Sequence, residues 1–187
     1  MTSKLGVIVA STRPGRAGLP IAQWFADAAR AHAGFEVTLL DLAEVALPLF
    51  DEPHHPRLGT YTHEHTKRWS AQVAAQDAFV IVTPEYNHGT PPSLSNALCY
   101  LSAEWAYKPA AFVSYGGIAA GARSVSMTKQ ILAPLKVVGI VESVAIPMFT
   151  QQLEDGRFKA NPGQGQAATA LLDELVRWAG ALRTLRI

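Results

Sequence analysis

Ala78-Phe79-Val80-Ile81-Val82-Thr83-Pro84-Glu85-Tyr86-Asn87-His88-Gly89 reads as a buried strand that runs straight into a polar turn. Six apolar or β-branched residues in a row, without alternation, are what a parallel strand covered on both faces requires. Pro84 has no N–H and a fixed φ, so the ladder has to stop there. Beyond it, Tyr86 offers a flat amphipathic face and Asn87 a paired donor and acceptor. The next helix is predicted to start within Thr90-Pro91-Pro92-Ser93, where proline at the first positions costs no hydrogen bond. Strand, polar turn, helix is the unit of an open α/β sheet, and its carboxyl edge is where such sheets bind ligands. Residues of these types suit the edge of a planar heteroaromatic ring.

The same unit recurs on either side. Leu5-Gly6-Val7-Ile8-Val9-Ala10 is a second continuous apolar run, followed by helical spacing at Ile21, Trp24, Phe25 and Ala28. Further strands are predicted at 35–41, 110–115 and 137–146, with helices near 62–76, 92–103 and 120–135. Leu171, Leu175, Trp178, Leu182 and Leu185 close the chain at amphipathic spacing and predict a last helix whose stripe, with Trp24, is core. Five strands alternating with helices imply a three-layer α/β sandwich on a parallel sheet. No repeat, low-complexity tract or linker interrupts the chain, which predicts one domain over 1–187. Pro48, Pro53 and Pro56 mark the irregular stretch 48–61 as a surface loop.

Composition excludes several classes. Lys+Arg 16 against Asp+Glu 15, net +1, gives no basic footprint for nucleic acid. One cysteine rules out an internal disulfide framework and suits a reducing cytoplasm. No apolar run approaches the roughly 20 residues of a membrane helix. The expected location is the cytoplasm.

Two more loops fall on the same predicted edge. After the first strand comes Ser11-Thr12-Arg13-Pro14-Gly15-Arg16-Ala17-Gly18, with neither Gly-x-Gly-x-x-Gly nor Gly-x-x-x-x-Gly-Lys-Ser/Thr, so dinucleotide and P-loop fingerprints are absent. Hydroxyls, two arginines and glycines ahead of a helix start make an anion site, against the plainer reading of a capped helix with solvated arginines. After the fourth strand, Ser114-Tyr115-Gly116-Gly117 places adjacent glycines where backbone can approach a ligand, with Gly121-Ala122-Arg123 opening the next helix. Three such loops on one edge are harder to dismiss than any one.

Together these loops resemble the NADPH-dependent FMN reductase family of flavodoxin-like proteins, from the first strand to about residue 146. Ala10-Ser11-Thr12-Arg13-x-Gly15-Arg16 carries the likeness, as do Pro84-Glu85-Tyr86-Asn87 with Pro91-x-x-Leu94-x-Asn96-Ala97-Leu98, and Ser114-Tyr115-Gly116-Gly117. The resemblance implies a flavodoxin-like sandwich with strand order 2-1-3-4-5. It implies that Ser11, Arg13 and Arg16 hold the FMN phosphate, and that Pro84, Glu85, Tyr86 and Asn87 line the ribityl chain and isoalloxazine ring. Ser114, Tyr115, Gly116 and Gly117 then border the ring's other edge, and backbone N–H groups stabilise the reduced, anionic flavin. NADPH or NADH is the expected co-substrate, with a quinone, azo compound, metal oxyanion, flavin or oxygen as acceptor. FMN carries the chemistry in such an enzyme, so no side-chain general base is expected. A homodimer or homotetramer is implied as well, with helix 92–103 and Trp105 as contact candidates.

Ala10 and Cys99 depart from the family pattern, which often has glycine and usually aspartate there. A flavodoxin-type electron carrier shares the fold and cofactor, but strongly acidic surfaces suit such carriers and net +1 does not. A non-enzymatic FMN-binding module is the other alternative. His54, His55, His63 and His65, with Asp51, Glu52 and Glu64, have metal-ligand chemistry, yet an irregular proline-rich loop offers no fixed geometry and a solvated loop is the expectation. Cys99 is expected to pack as a small helix residue rather than serve as a redox thiol. His88 is either a flavin or nicotinamide contact or part of a surface turn. No Gly-x-Ser-x-Gly elbow follows a strand, which removes a serine hydrolase.

Overall fold

A computed structural model describes residues 2–186. Its main sheet has β1 (Ser3–Val9), β2 (Phe35–Asp41), β3 (Ala78–Pro84), β4 (Pro109–Tyr115) and β5 (Val138–Ile146), in the order 2-1-3-4-5 and parallel throughout. The flavodoxin-like order expected from the sequence is therefore the observed one. Between and after these strands come α1 (Gly18–His32), α2 (Leu42–Val45), α3 (Glu64–Ala74), α4 (Pro92–Cys99), α5 (Ala122–Leu132) and α6 (Pro162–Arg183).

The strand pleat explains the layers. Leu5, Val7 and Val9 of β1, with Ala78, Val80 and Val82 of β3, face one side and meet Ile21 and Phe25 of α1 and Leu171 and Leu175 of α6. Ile8, Phe79 and Ile81 face the other side and meet Trp69 of α3, Leu94 and Leu98 of α4 and Leu132 of α5. Both neighbours of β1 run parallel to it, and the chain leaves β1 first toward β2 and later returns to β3. The carboxyl ends of β1 and β3 thus flank the point where strand order reverses, the place at which open α/β sheets leave a crevice. Register brings the loops level: Val9 pairs with Val82, Thr83 with Ser114 and Pro84 with Tyr115.

Several expectations need correction. The helix predicted over 92–103 ends at Cys99, because residues 102–106 fold into separate turns around Glu104, whose carboxylate accepts Tyr61 Oη, Ser70 Oγ and the Ser102 amide. The helix near 120–135 closes as a 3-10 turn over Ala133–Leu135, where Pro134 cannot continue the α ladder. Cys99 is exposed rather than packed, since Leu94, Ala97 and Leu98 mark the buried face of α4 and Cys99 falls opposite. Trp105 is buried between Trp69 and Phe79, which removes it as a surface contact. On α6 the buried face is Ala168, Leu171, Leu172, Leu175 and Ala179, leaving Trp178 36% and Leu185 51% exposed. Among the elements not foreseen are α2, capped by the Asp41 side chain, and the hairpin of β6 (Leu153–Glu154) with β7 (Arg157–Phe158). Among the described residues, no helix is long and apolar enough to cross a membrane.

The proline-rich loop is ordered by carboxylates. Asp51 accepts His65 Nε2 at 3.0 Å and Tyr100 Oη at 2.9 Å. Glu52 is buried and accepts the amides of Thr62 and His63 at 2.8 and 3.0 Å, closing the start of α3. Burial opposes ionisation of Glu52, but the nearby Thr66 hydroxyl and those two amides outweigh it and bring its pKa to about 2. The histidines at 63 and 65 stack on one another above Asp51. Among the described residues no three His, Cys, Asp or Glu side chains converge on a metal position.

Candidate functional site

A cleft of about 520 Å³ opens along the carboxyl rim of β1, β3 and β4. Ligand pockets of small molecules and cofactors fall in this size range. Ser11, Arg13, Arg16, Pro84, Glu85, Tyr86, Tyr115, Gly116 and Gly117 all line it. Asn87 and Ser114 do not. Asn87 sits exposed at a turn tip, and Ser114 is buried beneath the 116–121 loop, against Gly121.

The first loop shapes one end. Gly15 takes φ +69°, a left-handed position that turns the chain into α1. Ala17 precedes α1 with no side-chain cap, and its first turn holds no acid. The helix start therefore points free N–H groups and the positive dipole end at the cleft. Arg13 is exposed and, among the described residues, has no carboxylate partner. Arg16 differs: its Nη2 donates to Asp41 Oδ2 in a largely buried pair, and its buried Nε has no acceptor among the described residues.

The middle loop is a two-residue reversal. Tyr86 and Gly89 exchange backbone bonds of 3.1 and 2.9 Å, with Asn87 at φ 48° and His88 at φ 63°. Positive φ at both central residues defines a type I′ turn, for which Asn is suited and His is unusual. For His88 this geometry favours the surface-turn reading: its side chain lies at the exposed tip and does not line the cleft. Tyr86 reaches from this loop to the first one, its hydroxyl 2.6 Å from Ser11 Oγ. Glu85 turns the other way and accepts Arg123 Nη1 at 2.7 Å and the Arg123 amide at 3.0 Å, capping the start of α5. Burial works against its charge, yet the Arg123 guanidinium and amide hold Glu85 below the usual carboxylate range.

Tyr115 forms the floor. Its ring packs edge-on to Phe149 at 5.2 Å, and its hydroxyl reaches so close to Gly18 that a Cβ there would lie 2.6 Å away. Burial, with the Tyr86 phenol adding to it, raises Tyr115 above the ordinary tyrosine range, so its hydroxyl stays protonated. At the far wall, the Gly116 amide is committed to Ile146 O at 3.2 Å, so it is not available to a ligand as the sequence reading supposed. The exposed Gly117 amide has no acceptor among the described residues.

Phe149, Thr150 and Leu153 complete the wall and were not anticipated. Phe149 and Thr150 lie between β5 and the β6–β7 hairpin, and Leu153 is the first residue of that hairpin, whose Asp155 (φ 50°) and Gly156 (φ 73°) form its turn. Asp-Gly is a strong hairpin signal and marks this excursion in the sequence. The partners Asp41 and Arg123 also lie outside the motifs assigned to the site.

Known proteins resemble this chain in sequence and in fold. Residues 3–151 match the model of the NADPH-dependent FMN reductase family. The chain is 40% identical over 139 residues to an NAD(P)H-dependent FMN reductase of Schizosaccharomyces pombe, covering 73% of this chain and 69% of that one. It is 29% identical over 176 residues to an NADPH azoreductase of a Bacillus species, covering 93% and 89%. Its fold superposes on FerB, an NAD(P)H:acceptor flavoenzyme of Paracoccus denitrificans, with a TM-score of 0.77 at 20% identity, over 96% of this chain and 98% of that one. The chain belongs to the NADPH-dependent FMN reductase family, oxidoreductases that use FMN and NAD(P)H.

Proposed function

We propose that this family member holds FMN in the rim cleft, phosphate at the start of α1 and ring between Pro84–Tyr86 and Gly116–Gly117. It then passes reducing equivalents from NADPH or NADH to a quinone, an azo compound or another small acceptor. One observation carries the reading: an uncapped helix start beside two arginines faces, across one cleft, two loops with ring-edge chemistry. The residues fit the group. The buried Arg16 Nε lacks an acceptor, the α1 amides are open, and Gly117 N–H points to no protein acceptor among the described residues.

When bound, FMN supplies the hydride and electron exchange between nicotinamide and acceptor. The chain supplies binding, orientation and field. Arg13 and the amides of the α1 first turn neutralise a dianionic phosphate monoester. Ser11 and Tyr86, already joined, set the distance between the two ends of the cleft. Gly117 N–H would be the donor offered to the ring edge, and Phe149 and Leu153 would give the far wall an apolar surface. No side chain is assigned a proton-transfer role: Glu85 is committed to Arg123, and Tyr115 remains protonated.

The reading extends to the whole chain, taking 1–187 as one domain in the cytoplasm and a homodimer or homotetramer. Exposed Leu49 and Phe50, tethered over α4 by bonds between Asn96 and both Pro48 O and Phe50 N, support an apolar contact there. Light scattering of L49D against wild type tests it, with a shift toward monomer expected.

The principal test is flavin titration of purified protein, followed by NADPH oxidation with benzoquinone and an azo dye as acceptors. Saturable FMN binding and acceptor-dependent turnover are expected. Protein that binds no FMN overturns the reading.

A further inference from the structure

We infer that Asp41 is a positioning residue for phosphate recognition: it fixes the Arg16 guanidinium so that one donor edge is reserved for the anion. The inference rests on the FMN reading above. Asp41 ends β2, a strand that lines no part of the cleft, so it acts there only through Arg16. Its side chain is 2% exposed and that of Arg16 17%. Both carboxylate oxygens are used. Oδ1 accepts the Ala43 amide at 3.0 Å and caps α2, while Oδ2 accepts Arg16 Nη2.

A carboxylate this deeply buried is strongly disfavoured without its cation. Arg16 is therefore not a free arm that swings to an incoming anion; it stays with Asp41. The guanidinium is planar, with five N–H donors in a fixed fork, so committing Nη2 sets the direction of every other donor. Among them is the Nε–H, buried and without an acceptor among the described residues. Buried donors are rarely left unpaired in folded proteins. A tetrahedral phosphate monoester at the start of α1 is the acceptor that this arrangement lacks.

Arg13 and Arg16 thereby divide the work. The Arg16–Asp41 pair is close to neutral and contributes direction. Arg13, exposed and unpaired among the described residues, contributes net charge together with the helix start. The opposite role for Asp41 is that of a rival anion, whose removal would free Arg16 and tighten phosphate binding. The double use of Asp41 as helix cap and strand terminus argues for a fixed post instead.

The test compares two ligands that differ only in the phosphate. FMN and riboflavin are titrated into flavin-free wild type, D41N and R16K, with binding read by flavin fluorescence and calorimetry. Asn caps a helix as well as Asp, so D41N keeps α2 and removes only the charge. R16K keeps a cation against Asp41 but has no second fixed edge. Both variants are expected to lose about tenfold or more in FMN affinity, the size of one charge-assisted hydrogen bond, while riboflavin affinity stays within about twofold. D41N with an unchanged or larger FMN-to-riboflavin ratio overturns the inference and leaves the flavin reading standing. If D41N does not fold, R16K decides by the same ratio. Wild type with no preference for FMN over riboflavin sinks the flavin reading itself.

Discussion

The hydroxyls of Ser11 and Tyr86 lie 2.6 Å apart and join the loop after β1 to the loop after β3 across 75 residues of chain. Ser11 is buried, so its hydroxyl has few alternatives once Tyr86 is gone. Y86F is expected to lower the stability of the flavin-free protein by about 1 kcal/mol, the net worth of one hydrogen bond. In a chain of this size that is a fall of roughly 2–4 °C in melting temperature. A thermal melt of both proteins checks it; an unchanged midpoint means the bond is not a strut.

Gly18 and Tyr115 form a close approach that can be tested as a pair. A Cβ at 18 meets Tyr115 Oη at 2.6 Å, whereas the next ring atom, Cζ, lies at an ordinary 3.4 Å. G18A is expected to cost roughly 1–3 kcal/mol through overpacking. Y115F removes the clashing atom, so G18A/Y115F recovers most of that loss. Urea unfolding of the four proteins in the cycle measures the coupling, and simple additivity refutes the steric account.

On the acid side, Glu52 sets the expected slope. Its pKa is lowered in the fold from 4.5 to about 2, so the native state binds fewer protons than the unfolded state in that window. Stability from this group is complete above about 4.5 and is lost as pH falls toward 2. E52Q should be less stable than wild type at neutral pH and should show a flatter decline between pH 4.5 and 2. Chemical unfolding at four or five pH values compares the two slopes. Parallel curves exclude Glu52 as the source.

Lys108 gives a slope of the same sign at high pH. It is buried at the end of α3 with Nζ donating to Val73 O and Ala74 O at 2.8 and 3.2 Å. Burial, and then nearby Arg186, lowers its pKa from 10.5 to about 8. Between those values the unfolded chain holds the proton and the native chain does not, so stability gains a rising component with pH. K108M should lack that component and, with two carbonyls left unpaired, should be less stable overall. Equal pH slopes for the two proteins between 8 and 10.5 would contradict this.

The central strands β1, β3 and β4 are the most legible in the sequence because each is a nearly unbroken apolar run ending at a breaker or a polar turn. That signal is local, and so are the motif residues that follow it at 11–16, 84–87 and 114–117. What escapes a linear reading is what the motif residues are bound to. Arg16 finds Asp41 at 25 residues' separation and Glu85 finds Arg123 at 38, and pairing at such distances leaves no periodic trace. Glu85 therefore reads as a cleft group while its charge serves the start of α5. The α6 stripe fails for a different reason. Positions 171, 175, 178, 182 and 185 share one side, but the face that meets the sheet is centred nearer 172 and 175. Arg183 is level with Ser3, the first residue of β1, so Leu185 lies beyond the sheet with little left to cover it.

The far wall of the cleft is tied to the sheet by Phe149 N to Gly116 O at 3.3 Å and Met148 N to Gly117 O at 3.1 Å, and its hairpin is anchored by Phe158, buried against Trp24, with Asp155-Gly156 at the exposed end. No core strand or long helix crosses that stretch. Lengthening or shortening that exposed end is thus a low-cost evolutionary edit, one that leaves the core contacts of Phe158, the five-stranded scaffold and the start of α1 as they are.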